Sequence, residues 1–110
     1  MEIVFADKKL EKLVSDFNQC KRKLGERRAK LLISRLNALQ IAENLEEVRH
    51  LPGRFHELKA DRKGQWACDL DQPFRLIFKP LENPIPTNEH GQFIWLEIVG
   101  VEIIEIADYH

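Results

Sequence analysis

Apolar residues in the first half of the chain recur at helical spacing. After a β-type run from Glu2 to Ala6, Asp7 is a suitable N-cap for an amphipathic helix that ends at Gly25 or in the turn before it. The apolar face of this helix comprises Leu10, Leu13, Val14 and Phe17. A second stripe comprises Ala29, Leu32, Ile33, Leu36 and Leu39. The pattern predicts two antiparallel helices joined by a short connection.

The second half of the chain changes to the two-residue alternation of β-strands. Asn44 is placed to cap one more short helical piece, which Pro52-Gly53 ends. The predicted strands are Phe55–Lys59, Gln65–Asp71, Phe74–Lys79, Gln92–Val99 and Val101–Ala107. Residues 80–91 contain three prolines and a glycine, which predicts a surface loop.

This order of elements predicts one α+β domain over residues 1–110, with an N-terminal strand and a helical hairpin packed on a mainly antiparallel β-sheet. The leucine-rich helix stripes would cover one face of the sheet. The other face is therefore expected to carry polar side chains and any functional site.

Composition narrows the class of protein. No apolar run approaches the roughly 18–20 residues of a membrane span, and the N-terminus lacks the pattern of a secretion signal, so we expect a cytoplasmic protein. Cys20 and Cys68 stand apart and are expected to be free thiols rather than a disulfide. The histidines lack the spacing of metal ligands, so we predict no metal site.

The net charge is −1, but its distribution is uneven. Residues 1–65 contain 15 Lys/Arg and 10 Asp/Glu, whereas residues 66–110 contain 2 and 8. A protein that binds nucleic acid unaided is usually basic, because neutralising phosphates supplies much of the affinity. If this chain acts on nucleic acid, we expect another component to deliver the substrate.

Ionisable residues in two separated stretches suit the cleavage of RNA without a metal. That reaction needs groups that exchange protons near neutral pH and cations that stabilise charge on the phosphate. The candidate catalytic residues are His56, Asp108, Tyr109 and His110. The candidate phosphate- or RNA-binding residues are Lys59, Arg62, Lys63 and Arg75.

Structural roles compete with these assignments. His56 and Lys59 would face opposite sides of a regular strand unless a bulge or the start of the turn intervenes. A cationic turn such as the one that contains Arg62 is often a solvated hairpin tip. Arg75 is equally suited to pair with a carboxylate, and the candidates are Asp69, Asp71 and Asp108.

Three motifs resemble one known group of proteins. They are H-x-L-K-x-D-R-K-G-x-W at residues 56–66, P-F-R-L-I-F at residues 73–78 and the terminal D-Y-H. Together they resemble the HigB-like "killer protein" branch of the RelE/ParE toxin superfamily. The resemblance implies the toxin of a type II toxin–antitoxin pair, a metal-independent endoribonuclease that needs no cofactor and cleaves mRNA in the ribosomal A site. Its partners would be the ribosome, mRNA and a cognate helix-turn-helix antitoxin.

The same resemblance assigns roles to residues by motif position. His56 matches the catalytic histidine, and residues 108–110 match a functional C-terminal triplet. Lys59 and Arg75 match basic residues that line the site, while Arg62 and Lys63 fall in a turn that contacts RNA.

Two features depart from that family. Residues 80–91 look like an insertion, and the chain is nearly neutral where family members are commonly basic. Two alternatives therefore stay open: a ParE-like toxin that binds DNA gyrase without cleaving RNA, and an inactive regulatory partner with the same fold.

Overall fold

The computed structural model describes residues 1–108, which form four α-helices and a five-stranded sheet. The helices are α1 (Lys8–Val14), α2 (Phe17–Leu24), α3 (Glu26–Ile41) and α4 (Leu45–Val48). The strands are β1 (Glu2–Phe5), β2 (His56–Glu57), β3 (Trp66–Asp69), β4 (Phe74–Pro80) and β5 (Gly100–Asp108). In the order β1-β5-β4-β3-β2, β1 runs parallel to β5 and the other neighbours are antiparallel. The predicted α+β fold with a mainly antiparallel sheet is confirmed.

The helices pack on the sheet face that carries Trp66, Phe78 and Ile103, which are in register across β3, β4 and β5. Leu32 and Leu39 of α3 are buried against this face, as the helical stripe predicted. Burying a side chain of this size contributes roughly 1.5–3 kcal/mol. This face therefore supplies most of the core and holds the sheet in a fixed position.

The first predicted helix is interrupted, so the prediction of one continuous helix up to Gly25 is wrong. Asp16 has an extended backbone, and its carboxylate accepts hydrogen bonds from the amides of Asn18 and Gln19. This N-cap starts α2 as a separate helix, because a short acidic side chain satisfies the first amides of a new helix. Phe17, expected in the core, is consequently 39% exposed.

The β2–β3 connection differs from the predicted hairpin in the length of its first strand. The predicted strand Phe55–Lys59 reduces to two residues, and residues Ala60–Arg62 form a short 3-10 helix. One further backbone bond, from the Leu58 amide to the Gln65 carbonyl at 2.8 Å, extends the pairing with β3. The chain therefore leaves the sheet sooner than its alternating pattern indicates.

Residues 92–99 do not form the predicted strand. They contain a 3-10 helix, Trp95–Glu97, within the long connection from β4 to β5. Trp95 packs edge-on against Trp66, with ring centroids 5.4 Å apart, and Ile98 is fully buried. Trp95 and Ile98 therefore pack at one end of the core instead of joining a ladder, whereas Leu96 and Val99 are exposed.

A β-bulge decides which carboxylates of β5 share a face. The register between β4 and β5 shifts between Ile77 and Phe78, which leaves Ile104 as an extra residue. Glu102 and Glu105, three positions apart, would face opposite sides of a regular strand. The bulge brings both to the face opposite the helices.

Cys20 and Cys68 are free and buried, so the prediction of free thiols is confirmed. Burial raises the pKa of the Cys68 thiol to about 12, which keeps it protonated at neutral pH. Among the described residues, no helix has the length and apolar character that crossing a membrane requires.

Candidate functional site

The sheet face opposite the helices carries most of the residues singled out in the sequence. His56, Ala67, Ile77 and Glu105 are in register across four strands of this face. We call it the polar face. Its charged and amide side chains are His56, Gln65, Asp69, Arg75, Lys79, Glu102 and Glu105.

His56 is held by a backbone carbonyl. Its Nδ1 lies 2.6 Å from the carbonyl oxygen of Arg54. Because a carbonyl oxygen can only accept, Nδ1 carries the hydrogen, and in the neutral ring Nε2 holds the lone pair. Arg54 lies in the left-handed region, with φ 53°, directly after Gly53 with φ 115°. This turn of the backbone directs the carbonyl toward the imidazole and fixes which nitrogen exchanges protons.

The backbone at Gly53 is braced from the helix layer. The Asp69 amide donates to the Gly53 carbonyl at 2.7 Å, and the Arg35 Nε of α3 donates to the Asp69 carbonyl at 2.8 Å. A Cβ atom at position 53 would lie 2.5 Å from Arg35 Nε, so only glycine fits there. Sequence reasoning missed this brace, because Pro52-Gly53 indicated only the end of a helix.

Asp69 is a buried carboxylate between two arginines. Its Oδ2 lies 3.3 Å from Arg54 Nη1, and its Oδ1 lies 3.5 Å from Arg75 Nε. Oδ1 has no hydrogen-bond partner among the described residues, because the 3.5 Å contact lacks hydrogen-bond geometry. The prediction that Arg75 pairs with a carboxylate is confirmed, with Asp69 as the partner.

Arg62 extends from the β2–β3 turn to β5. Its Nη2 lies 3.3 Å from Glu105 Oε1, and its Nη1 donates to Gln65 Oε1 at 2.9 Å. Since β3 and β4 lie between the two ends of this bridge, the guanidinium crosses the polar face above them. A second cation of this face, Lys79, lies 3.5 Å from Glu102. The acidic second half of the chain thus supplies both carboxylates, one for Arg62 of the first half and one for Lys79 of its own half.

Lys59 and Lys63 flank the 3-10 helix of the same turn, and both are exposed. The strand that contains His56 ends at Glu57, but the Leu58 amide still bonds to the Gln65 carbonyl and the Lys59 backbone is extended. The role of Lys59 beside His56 therefore stays a prediction. The Lys63 ammonium lies 5.7 Å from the ring centroid of Phe93, in the long connection from β4 to β5.

Asp108 is the last described residue and is exposed at the end of β5. It is in register with Phe74, whereas the preceding Ala107 is in register with Arg75. Strand alternation alone therefore places Asp108 on the face opposite His56. Tyr109 and His110 lie outside the described residues, so their predicted approach to His56 stays a prediction.

The described residues thus combine an oriented imidazole with several cations on one side of the sheet. This arrangement suits proton transfer beside a bound anion. Within residues 1–108, no group of three or more His, Cys, Asp or Glu side chains is arranged to hold a metal ion.

The chain resembles known proteins both in sequence and in structure. Residues 3–89 match a family described as the RelE-like toxin of type II toxin–antitoxin system HigB. A chain of the YoeB–YefM complex from Staphylococcus aureus is similar in structure, with a TM-score of 0.58 and 13% identity over 100% of this chain and 97% of that one. The YoeB/ParE toxin from Agrobacterium tumefaciens gives 0.54 and 11%, over 100% of both chains. At these identities the structural likeness supports the fold alone. No curated protein sequence matches the chain closely enough to count as a relative.

Proposed function

Because the chain belongs to the HigB-like family of RelE-type toxins from type II toxin–antitoxin systems, we propose that it is an endoribonuclease that cleaves mRNA on the ribosome. The observation that carries this proposal is the 2.6 Å contact between His56 Nδ1 and the Arg54 carbonyl. It leaves Nε2 to exchange a proton with the substrate, beside the cations of the polar face.

In the proposed reaction, the ribose 2′-oxygen attacks the adjacent phosphorus and loses its proton to a base. The bond to the 5′-oxygen breaks, and an acid protonates that oxygen, which leaves a 2′,3′-cyclic phosphate and a 5′-hydroxyl. His56 takes one of these two roles, and His110 takes the other. Tyr109 orients the ribose or phosphate, and Asp108 orients a neighbouring imidazole or cation other than His56, from which strand alternation separates it. Every group that the reaction needs is then a side chain.

The cations stabilise the negative charge that grows on the phosphate oxygens. We assign this role to Arg75 and Lys59, with Arg62 and Lys63 contacting the RNA further along the strand. Arg62 and Arg75 lie beside Glu105 and Asp69 at 3.3 and 3.5 Å, so binding of a phosphate would exchange one anionic partner for another. This exchange reduces the net gain from each contact and fits a nuclease that depends on the ribosome to present its substrate.

The same family membership supports the proposed partners. We propose that residues 1–110 act as one toxin domain in the cytoplasm, neutralised by a cognate antitoxin that carries a helix-turn-helix domain. The S. aureus structure that resembles this chain contains YoeB together with YefM. A net charge of −1 favours RNA delivery by the ribosome over unaided capture of free RNA.

The test is to express the wild type and His56→Ala and to map mRNA 5′ ends on translating ribosomes. Removing the proton-exchanging imidazole should slow cleavage by about 10²–10⁴-fold, the usual effect of a positioned acid or base. The matched control is His90→Ala, since His90 is an exposed histidine in the β4–β5 connection. The control should cleave as the wild type does.

Equal cleavage by the wild type and His56→Ala would remove the proposed mechanism. Growth arrest that survives deletion of residues 108–110, without new mRNA ends, would instead favour a toxin that binds gyrase. A folded protein that causes no growth arrest would favour an inactive regulatory partner.

A further inference from the structure

A cleft of about 390 Å³ opens between the β2–β3 turn and the segment that follows β4. Its walls include the amide side chains of Gln65 and Asn83 and the aliphatic side chains of Leu81 and Ile85. This volume lies within the range of pockets that hold small organic groups. Of the residues that line it, only Lys63 has a role in the nuclease proposed above.

The cleft lies on the same face as His56 and close to it along the strands. Lys79, which lines the cleft, is two residues along β4 from Ile77. Ile77 is in register with Ala67, and Ala67 with His56. Strands rise by about 3.3 Å per residue, so the cleft begins about 7 Å along the sheet from the level of His56. An RNA strand with its scissile phosphate at His56 would bring a neighbouring nucleotide to this point.

The charges that line the cleft cancel. Lys63 and Lys79 are matched by Glu82 and Glu102. Glu102 lies 3.5 Å from Lys79, and Glu82 accepts a hydrogen bond from the Val99 amide at 3.1 Å. A cleft with no net charge offers little attraction to a phosphate. It suits an uncharged, flat group that has polar edges, and a nucleobase is such a group.

The amide of Gln65 is already oriented. Its Oε1 accepts from Arg62 Nη1 at 2.9 Å, so its NH₂ group is the part that a ligand in the cleft can use. Arg62 also lies 3.3 Å from Glu105 of β5 and so links the cleft to the middle of the polar face. Asn83 is exposed on the opposite wall, where its amide offers both a donor and an acceptor.

We propose that this cleft binds one nucleobase of the RNA beside the scissile phosphate, and that Gln65 and Asn83 set the base preference at that position. The inference rests on the proposed nuclease function. It adds a recognition site that is built partly by the segment after β4, which the sequence predicted to be a surface loop.

The experiment maps cleavage sites on translating ribosomes for the wild type, Gln65→Ala and Asn83→Ala, and compares base frequencies at each position around the cut. Both variants should weaken the preference at one and the same position by about 2- to 10-fold, the effect of one lost hydrogen bond. Asn83 is exposed, so Asn83→Ala keeps the test valid even where Gln65→Ala unfolds. The matched control, Gln40→Ala, removes an exposed amide from α3 on the helix layer and should leave every preference unchanged.

Unchanged base preferences in both cleft variants, while the wild type cleaves, would overturn the inference and leave the nuclease function standing. Absence of cleavage by the wild type would reject the proposed function, and this inference with it. The two failures are therefore distinguishable in one experiment.

Discussion

Within residues 1–108, an arginine–aspartate cluster lies on each side of the sheet, and the geometries of the two differ. Arg28 of α3 binds Asp71 through two parallel contacts, at 2.9 and 3.1 Å, and its guanidinium lies 3.4 Å from the ring centroid of Phe74. On the polar face, Arg75 lies 3.5 Å from Asp69 without a well-formed hydrogen bond. In the first pair, two guanidinium nitrogens each donate to one carboxylate oxygen, whereas the second is a longer contact between opposite charges.

We interpret this difference as one between a structural ion pair and an arginine that is proposed to bind phosphate. Arg28 links α3 to the β3–β4 turn, and its hydrogen bonds hold the pKa of the Asp71 carboxyl below its ordinary value. A phosphate would gain little by competing with such a pair. The contact between Arg75 and Asp69 is longer, at 3.5 Å, and Arg75 is the arginine that the proposed function assigns to the phosphate. The comparison predicts activity losses on one side and stability losses on the other.

The largest effect is expected for Arg75→Ala, on activity. Removing one preorganised group that stabilises transition-state charge costs about 10²–10³-fold in rate, and we expect mRNA cleavage to fall by about 10²-fold. Cleavage rates are measured on translating ribosomes, with thermal unfolding as a check that the variant is folded. Arg28→Ala is the matched arginine on the other side and should keep its rate at temperatures where it is folded.

If Arg75→Ala cleaves at the wild-type rate, the assignment of Arg75 to the phosphate is wrong. If both variants lose activity equally while folded, the two clusters do not differ in role.

The next effect is on stability. Arg28→Ala removes two charge-assisted hydrogen bonds and the stacking on Phe74, so the free energy of unfolding should fall by about 2–3 kcal/mol. Urea denaturation of the two proteins measures this difference. Arg27→Ala, at an exposed neighbouring position on the same helix, should change the free energy by less than about 0.5 kcal/mol. Equal losses in the two variants would show that the pair with Asp71 contributes nothing specific.

Periodicity was sufficient to predict the parts of the fold that pack in regular layers. The stripe that contains Leu32 and Leu39 predicted α3, and alternation predicted β3 and β4. It failed where a local cap or a tertiary contact competes with the pattern. Asp16 interrupts a helix that the apolar spacing alone would continue, because its cap bonds are local and favourable. Trp95 and Ile98 are three positions apart and would face opposite sides of a strand, yet both are buried, because the segment forms a 3-10 turn at the end of the core.

The sequence was sufficient to identify several residues of the candidate site, but it did not predict how they are arranged. His56 and Arg75 were identified because a structural hairpin has no need of an imidazole or a guanidinium at those positions. The bulge at Ile104, which gathers the carboxylates of β5 on the polar face, depends on pairing between strands distant in sequence. The brace at Gly53 depends on Arg35 from another layer. No local pattern contains that information.

The smallest effect is a pH dependence of stability that comes from the Arg28–Asp71 pair. The hydrogen bonds from Arg28 lower the pKa of Asp71 from its ordinary value of 3.8, so at acid pH the unfolded chain takes up a proton at this carboxyl before the folded protein does. The stabilisation is therefore complete above about pH 3.8 and is lost as the pH falls through the folded-state pKa. Urea denaturation from pH 6 to pH 2 should show this loss in the wild type and a shallower one in Asp71→Asn, which cannot titrate. The effect should be smaller than that of Arg28→Ala, because protonation removes the charge of Asp71 but leaves an oxygen that still accepts from Arg28. Parallel acid profiles for the two proteins would mean that the carboxylates of the polar face, rather than Asp71, dominate the loss of stability in acid.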